Sequence, residues 1–126
     1  PDGTVVMKRN LAQREKGSAK RFLQAVSESI YRLKTEPQLR ERIVANIQKR
    51  MRIDHKYAED IYEEYNDVFS YPPGVGREGL GDVLEIIARQ SGKPPVEFKI
   101  DRFLDESLLD ELATESFFKQ LEARSK

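Results

Sequence analysis

Apolar residues recur at intervals of three and four through five segments of this sequence, a period that admits little except a set of amphipathic helices. Phe22, Val26, Ile30 and Leu33, with Leu23 beside them, mark one face of a helix opened by Gly17-Ser18 and running to about Lys34. Thr35-Glu36-Pro37-Gln38 has the pattern of a capping box with an early proline, so a second helix is expected there with Leu39, Ile43, Ile47 and Met51 inward. Asp54 is placed to cap a third, to about Phe69, whose inner face would be Tyr57, Ile61, Tyr65, Val68 and Phe69 with Tyr62 alongside. The prolines and glycines between Ser70 and Gly76 exclude regular structure and make that block a loop. Arg77 to Ser91 is helical again, with Leu80, Val83, Leu84 and Ile87 inward and Gly92 placed to end it.

Shorter pieces complete the pattern. Thr4-Val5-Val6-Met7 follows a Pro-Asp-Gly turn signal and is β-branched enough to form a short strand. A lone strand leaves its backbone groups without a ladder, so its sheet would have to come from elsewhere. Asn10 is placed to cap a short helix through about Arg14. Val96, Phe98 and Ile100 alternate, so the run to Phe103 is expected to be extended. Asp105 or Ser107 then caps a helix through about Thr114 carrying Leu108, Leu109 and Leu112; Phe117, Phe118 and Leu121 follow in a terminal turn or helix, and the tail from Glu122 is expected to fray. The expected fold class is mainly α, with about five to six helices and one short N-terminal strand.

A chain of 126 residues, 38% apolar and 35% charged, has material for one small core and no more than one domain. Its 22 basic and 22 acidic residues cancel, which removes the bulk field that would draw nucleic acid or an anionic membrane. No apolar run approaches the roughly 20 residues of a membrane helix. Without cysteine there is no disulfide, thiolate nucleophile or cysteine zinc site, and no signal peptide is visible within these residues.

Candidate chemistry is sparse. His55, the single histidine, follows the Asp54 cap and has no partners at metal-ligand spacing, so an exposed first-turn residue accounts for it better than catalysis. Glu59, Asp60, Glu63 and Glu64 form a dense acidic group on a helix whose other face is aromatic, and a solvated polar face explains them better than a metal site. Lys8, Arg9, Arg14, Lys16, Lys20 and Arg21 bias the first segment toward positive charge, but the aromatic interleaving of single-strand binding is missing. Glycines 74, 76 and 79 match the spacing of a phosphate-binding GxGxxG loop, yet Pro72-Pro73 stands where a strand is required. Tyr57, Tyr62, Tyr65 and Tyr71 have the makings of a ligand cage, although helical spacing favours core and interface packing.

Several segments in order nevertheless resemble a known family. They are Thr4 to Ala12, Arg21-Phe22-Leu23-Gln24-Ala25, Leu33-Lys34-Thr35-Glu36-Pro37, Tyr71-Pro72 followed by Glu78-Gly79-Leu80 and Val83-Leu84, and finally Phe103 to Leu112. Together they resemble the C-terminal portion of substrate-binding proteins of nitrate, sulfonate and taurine type ABC importers, a group with thiamine-precursor-binding relatives. The resemblance implies the C-terminal portion of an α/β type II periplasmic-binding fold, with residues 1–9 a return strand and 10–126 helical, as one segment of a two-lobed protein. It implies a non-enzymatic role without cofactor or metal: capture of a small solute by lobe closure and delivery to an ABC permease. It also implies a periplasmic or membrane-anchored extracellular location, and Asp2 or Gly3 as a hinge-side ligand contact. Nucleic acid and a membrane span are not expected as partners; a homodimer or strand swap is, because an isolated lobe exposes its sheet-facing surfaces. The rival expectation is a self-contained helical protein-interaction module, which has no use for the strand.

Overall fold

A computed structural model describes residues 6–93 and 98–124. Among these the regular structure is helical throughout: α1 (Arg9–Arg14), α2 (Lys16–Thr35), α3 (Arg40–Met51), α4 (His55–Val68), α5 (Arg77–Ser91), α6 (Ser107–Thr114) and α7 (Phe117–Ala123), with 3-10 turns at Pro37–Leu39 and Ile100–Arg102. The mainly α expectation holds, with seven helices rather than five or six. The expected strand does not form over its described half. Val6 and Met7 lie in irregular backbone, Val6 88% exposed, and a backbone with no neighbouring strand is left to hydrogen-bond water. Thr4 and Val5 lie outside the described residues.

The chain divides into two compact units, one formed by Phe22–Pro73 and the other by the residues up to Arg21 together with those from Gly74 onward. In the Phe22–Pro73 unit, α3 packs against α4. Its core is Val44, Ala58 and Tyr62, ringed by Leu33, Ile43, Ile47 and Ile53. Val44 is completely buried while Met51, expected inward, is 52% exposed. On α4 the buried residues are Ala58, Ile61 and Tyr62, while Tyr57, Tyr65 and Val68 are exposed. Ile43 and Ile47 of the expected stripe do pack against this core, joined by Val44 and Ala58, whereas Met51, Tyr65 and Val68 lie on the same sides but in the last turn of their helices. On α2, Ile30 and Tyr31 are buried but Phe22 is not, and Tyr31 packs against Tyr71 of the following loop at 4.9 Å between ring centres.

The helix ends show which local signals act. Asp54 caps α4 as expected, its Oδ1 accepting from the Tyr57 N–H at 2.8 Å. The Thr35 capping box does not form. Thr35 closes α2, its hydroxyl donating back to the Tyr31 carbonyl at 2.8 Å, and Glu36 is held by Arg32 at 2.8 Å, so neither side chain reaches the next helix. Asn10 sits inside α1, which starts from Lys8 without a side-chain cap. α3 ends at Arg52 in the left-handed conformation, φ 56°.

In the other unit, α5 spans Arg77–Ser91 as expected and stops at Gly92, whose φ of 67° suits glycine. Leu84 and Ala88 are its buried residues, and Ile100 reaches Gly81 closely enough that an added Cβ there would lie 3.4 Å from its Cδ1. Ile100–Arg102 is a 3-10 turn rather than extended. A lone extended segment has no ladder, and the turn satisfies its own backbone, the Phe103 N–H donating to the Ile100 carbonyl at 2.8 Å. α6 and α7 pack together through Leu112, Phe118 and Leu121, all buried. Asp105 steadies the start of α6 by accepting from the Ser107 N–H and hydroxyl at 3.1 and 2.6 Å.

Candidate functional site

The densest arrangement of functional groups lies on the α3–α4 pair. Arg40, in the first turn of α3, reaches across to α4 and meets Glu59 at 3.0 Å and Glu63 at 3.1 Å, with Glu41 on its own helix at 3.2 Å. Its guanidinium lies over the Tyr62 ring, 5.4 Å from the centre, a stacked geometry that a lysine would not reproduce. The hydrogen bonds that Arg40 donates, to Glu59 first and then to Glu63, raise its pKa further and keep the group charged at any working pH. His55 stands beside the same cluster, Nε2 3.8 Å from Glu59, and is exposed. Arg40 thus engages half of the acidic group seen in the sequence and turns it into a latch over the core. Asp60 and Glu64 point to solvent on the outer side of α4, together with Asp67.

α3 has the opposite character on its outer side. Arg42, Ala45, Asn46, Lys49 and Arg50 are all exposed, Arg52 follows at the helix end, and the sole carboxylate of the helix, Glu41, is taken by Arg40.

The remaining unit carries two ion-pair clusters and a groove. Lys16 and Lys20 of α2 both meet Glu111 of α6, at 2.5 and 3.5 Å, and Lys20 also bonds Glu115. The Lys16 hydrogen bond, foremost, holds the Glu111 carboxyl below the usual range, and the Glu115 hydrogen bond raises the Lys20 ammonium. The basic bias of the first segment is therefore partly consumed within the fold. Arg77 bonds Asp101 at 2.7 Å and Glu106 at 3.2 Å. A groove of about 310 Å³ is lined by Lys93, Phe98, Arg102 and Phe103, the two phenyl rings parallel within 6° and 6.3 Å apart.

These positions decide the sequence candidates. The glycine-rich loop runs into the start of α5, but its Arg77 is bound by two carboxylates, and the Glu106 carboxylate lies 3.9 Å from where a Gly74 Cβ would sit. An anion there would meet negative charge. The tyrosines form no cage: Tyr62 is buried under Arg40, Tyr57 and Tyr65 are exposed, and Tyr71 packs on Tyr31. Asp2 and Gly3 lie outside the described residues. Among the described residues no group of three or more His, Cys, Asp or Glu is arranged to hold a metal, and no helix is long and apolar enough to cross a membrane. The Arg40 latch was not visible beforehand, because its partners lie 19 and 23 positions further along the chain and only the hairpin register brings them together.

Comparison with known proteins finds no match: no family model, no curated protein and no solved structure.

Proposed function

We propose that this chain acts as a helical protein-interaction module. The observation that carries the reading is the outer side of α5. Val83, Ile86 and Ile87 fall within one arc of about 100° and stay 40%, 54% and 42% exposed, beside the buried Leu84 and Ala88. Apolar residues grouped in this way favour cover by another polypeptide. Asp82 borders the face, while Glu85 is paired with Arg89 on the helix itself, so the partner is expected to be chosen by an apolar stripe rather than by charge. Elsewhere the helices supply for themselves what a module needs: α3 and α4 close a core of their own, capped by Asp54 and latched by Arg40.

The importer reading is favoured by a different observation, the ordered run of segments resembling substrate-binding proteins. Under it the α5 face would be covered by the lobe's own sheet, built from upstream chain. Val6 and Met7 separate the two readings, since a return strand requires them in a ladder. The test is light-scattering mass with amide exchange on the purified 126-residue chain at ~0.5 M NaCl, where charge-driven contacts are screened. A monomer that melts cooperatively, with α3 and α4 protected and residues 4–7 exchanging freely, supports the module. Protection at residues 4–7 in a dimer or larger species would overturn it in favour of a lobe deprived of its sheet.

A further inference from the structure

The two helices of the hairpin carry opposite charge on their outer sides. α4 holds five carboxylates against the single Lys56, and α3 holds four cations against the single Glu41. Internal pairing makes the separation sharper. Arg40 draws Glu41, Glu59 and Glu63 to the edge shared by the two helices, so the outer side of α3 has no carboxylate and the outer side of α4 keeps Asp60, Glu64 and Asp67 in solvent.

The spacing turns these charges into faces. Arg42, Asn46, Lys49 and Arg50 fall at i, i+4, i+7 and i+8, within about a 100° arc, and that arc lies opposite the buried Val44. On α4 the set Asp60, Glu64 and Asp67 covers an arc of about 60°, bordered on one side by the exposed Tyr57 and Val68. Because α3 and α4 pack through their inner sides, the positive and negative faces look away from each other.

From this we infer that the chain self-associates head to tail, the basic outer face of α3 in one copy seating on the acidic outer face of α4 in the next. This goes beyond the module reading, which concerns the α5 face, by assigning a second surface on the hairpin to another copy of the chain, and it rests on that reading. Both halves of the interface are on the same molecule. Their charges are complementary, and the exposed Val68 supplies apolar contact at the rim of the α4 face. A duplex or single-stranded nucleic acid fits less well, since the α3 face has no aromatic side chain and the neighbouring acidic helix repels a polyanion. A contact of this kind is heterologous, so it extends or closes into a ring rather than stopping at a two-fold dimer. The α3 face is about 18 Å long by 10 Å wide, well short of the ~800 Å² per partner of a standard interface. The association is therefore weak and governed by salt.

The test is sedimentation velocity of the full chain over a concentration series, at ~0.05 M and ~0.5 M NaCl. Association at low salt, weakened about tenfold or more at high salt, is the expected result. Two variants locate the faces: Arg42→Glu/Lys49→Glu makes both outer faces acidic, and Asp60→Lys/Glu64→Lys makes both basic. Each alone is expected to remain monomeric at low salt with an unchanged helical spectrum, and an equimolar mixture to associate again. The mixture guards against a folding artefact, because misfolded chains would not restore a specific complex. A wild-type chain that stays monomeric at low salt overturns the inference, as does low-salt association that both variants retain, or a mixture that stays apart. The module reading is judged separately, by fold and mass at high salt.

Discussion

Val44→Ala should destabilise the α3–α4 hairpin strongly, although the sequence pattern gives the position no special standing. Val44 is wholly buried against Ala58 and Tyr62. Removing two carbons forfeits about 1.6 kcal/mol of transfer free energy at ~0.8 per methylene. If the neighbours do not close in, the space of roughly 50 Å³ adds up to about 1 kcal/mol at ~24 cal/mol per Å³. The loss expected is thus ~1.5–3 kcal/mol, or a fall in Tm of roughly 6 °C or more for a unit this small. The control is Met51→Ala, at a position the apolar period marks as inward but which is 52% exposed; it should cost no more than about 1 kcal/mol. Urea denaturation followed by far-UV circular dichroism measures both, with the m-value checked for constancy. If Val44→Ala lies within ~0.5 kcal/mol of the parent, or if Met51→Ala costs more, the burial described along α3 is wrong.

Other perturbations test separate parts of the argument. Asp54→Ala removes the oxygen that accepts from the Tyr57 N–H and should cost about 1 kcal/mol by urea denaturation, with Asp54→Asn recovering most of it. Arg52 and Gly92 both end helices at positive φ, 56° and 67°, so Arg52→Gly should be neutral or stabilising by up to about 1 kcal/mol, whereas Gly92→Ala should cost about 1 kcal/mol. Glu111 is held below the usual carboxylate range by Lys16 and Lys20, so its contribution is full above that range and fades as pH falls through its lowered folded-state value. Lys20 is raised by Glu115 and Glu111, so its contribution is full below the ordinary lysine range and fades as pH rises through the raised value. In denaturation midpoints measured against pH, Lys16→Gln/Lys20→Gln should flatten both limbs, and unchanged limbs would count against the cluster.

Much of the helical layout is legible in the sequence because it depends on local signals. Asp54, the run Arg77 to Ser91 and Gly92 act through their own backbone neighbours, and each behaves as its residue type dictates. What escapes is decided between elements. An i, i+4 stripe covers a wide arc, and only the partner helix settles how far along it burial extends; Ala58, too small to register as a core residue, is buried with Val44, while Met51 at the end of α3 is not. Thr35 and Glu36 show competition of another kind, since each has a use in the preceding helix that outweighs the capping box ahead. The run Val96 to Phe103 alternates like a strand, but with no sheet to join, Ile100–Arg102 winds into a turn instead. The functional candidates follow the same division. Composition locates the acidic group of α4, but not that Arg40 takes Glu59 and Glu63 out of it.

That selective pairing changes what a net charge of zero means. Read over the whole chain, 22 cations against 22 carboxylates exclude a long-range field. Neutrality is not uniform, however, because pairs form where the fold brings opposite charges together and leave a surplus where it does not. Around Glu111 two ammonium groups meet two carboxylates, and Arg40 alone holds three; on the outer sides of α3 and α4 the charges have no opposite partner at hand among the described residues and differ in sign. A screened field of this kind reaches only about 10 Å at moderate salt, too short to steer a distant partner but sufficient to choose between surfaces already in contact. On the proposed self-association, a neutral chain with separated faces recognises a surface as patterned as its own.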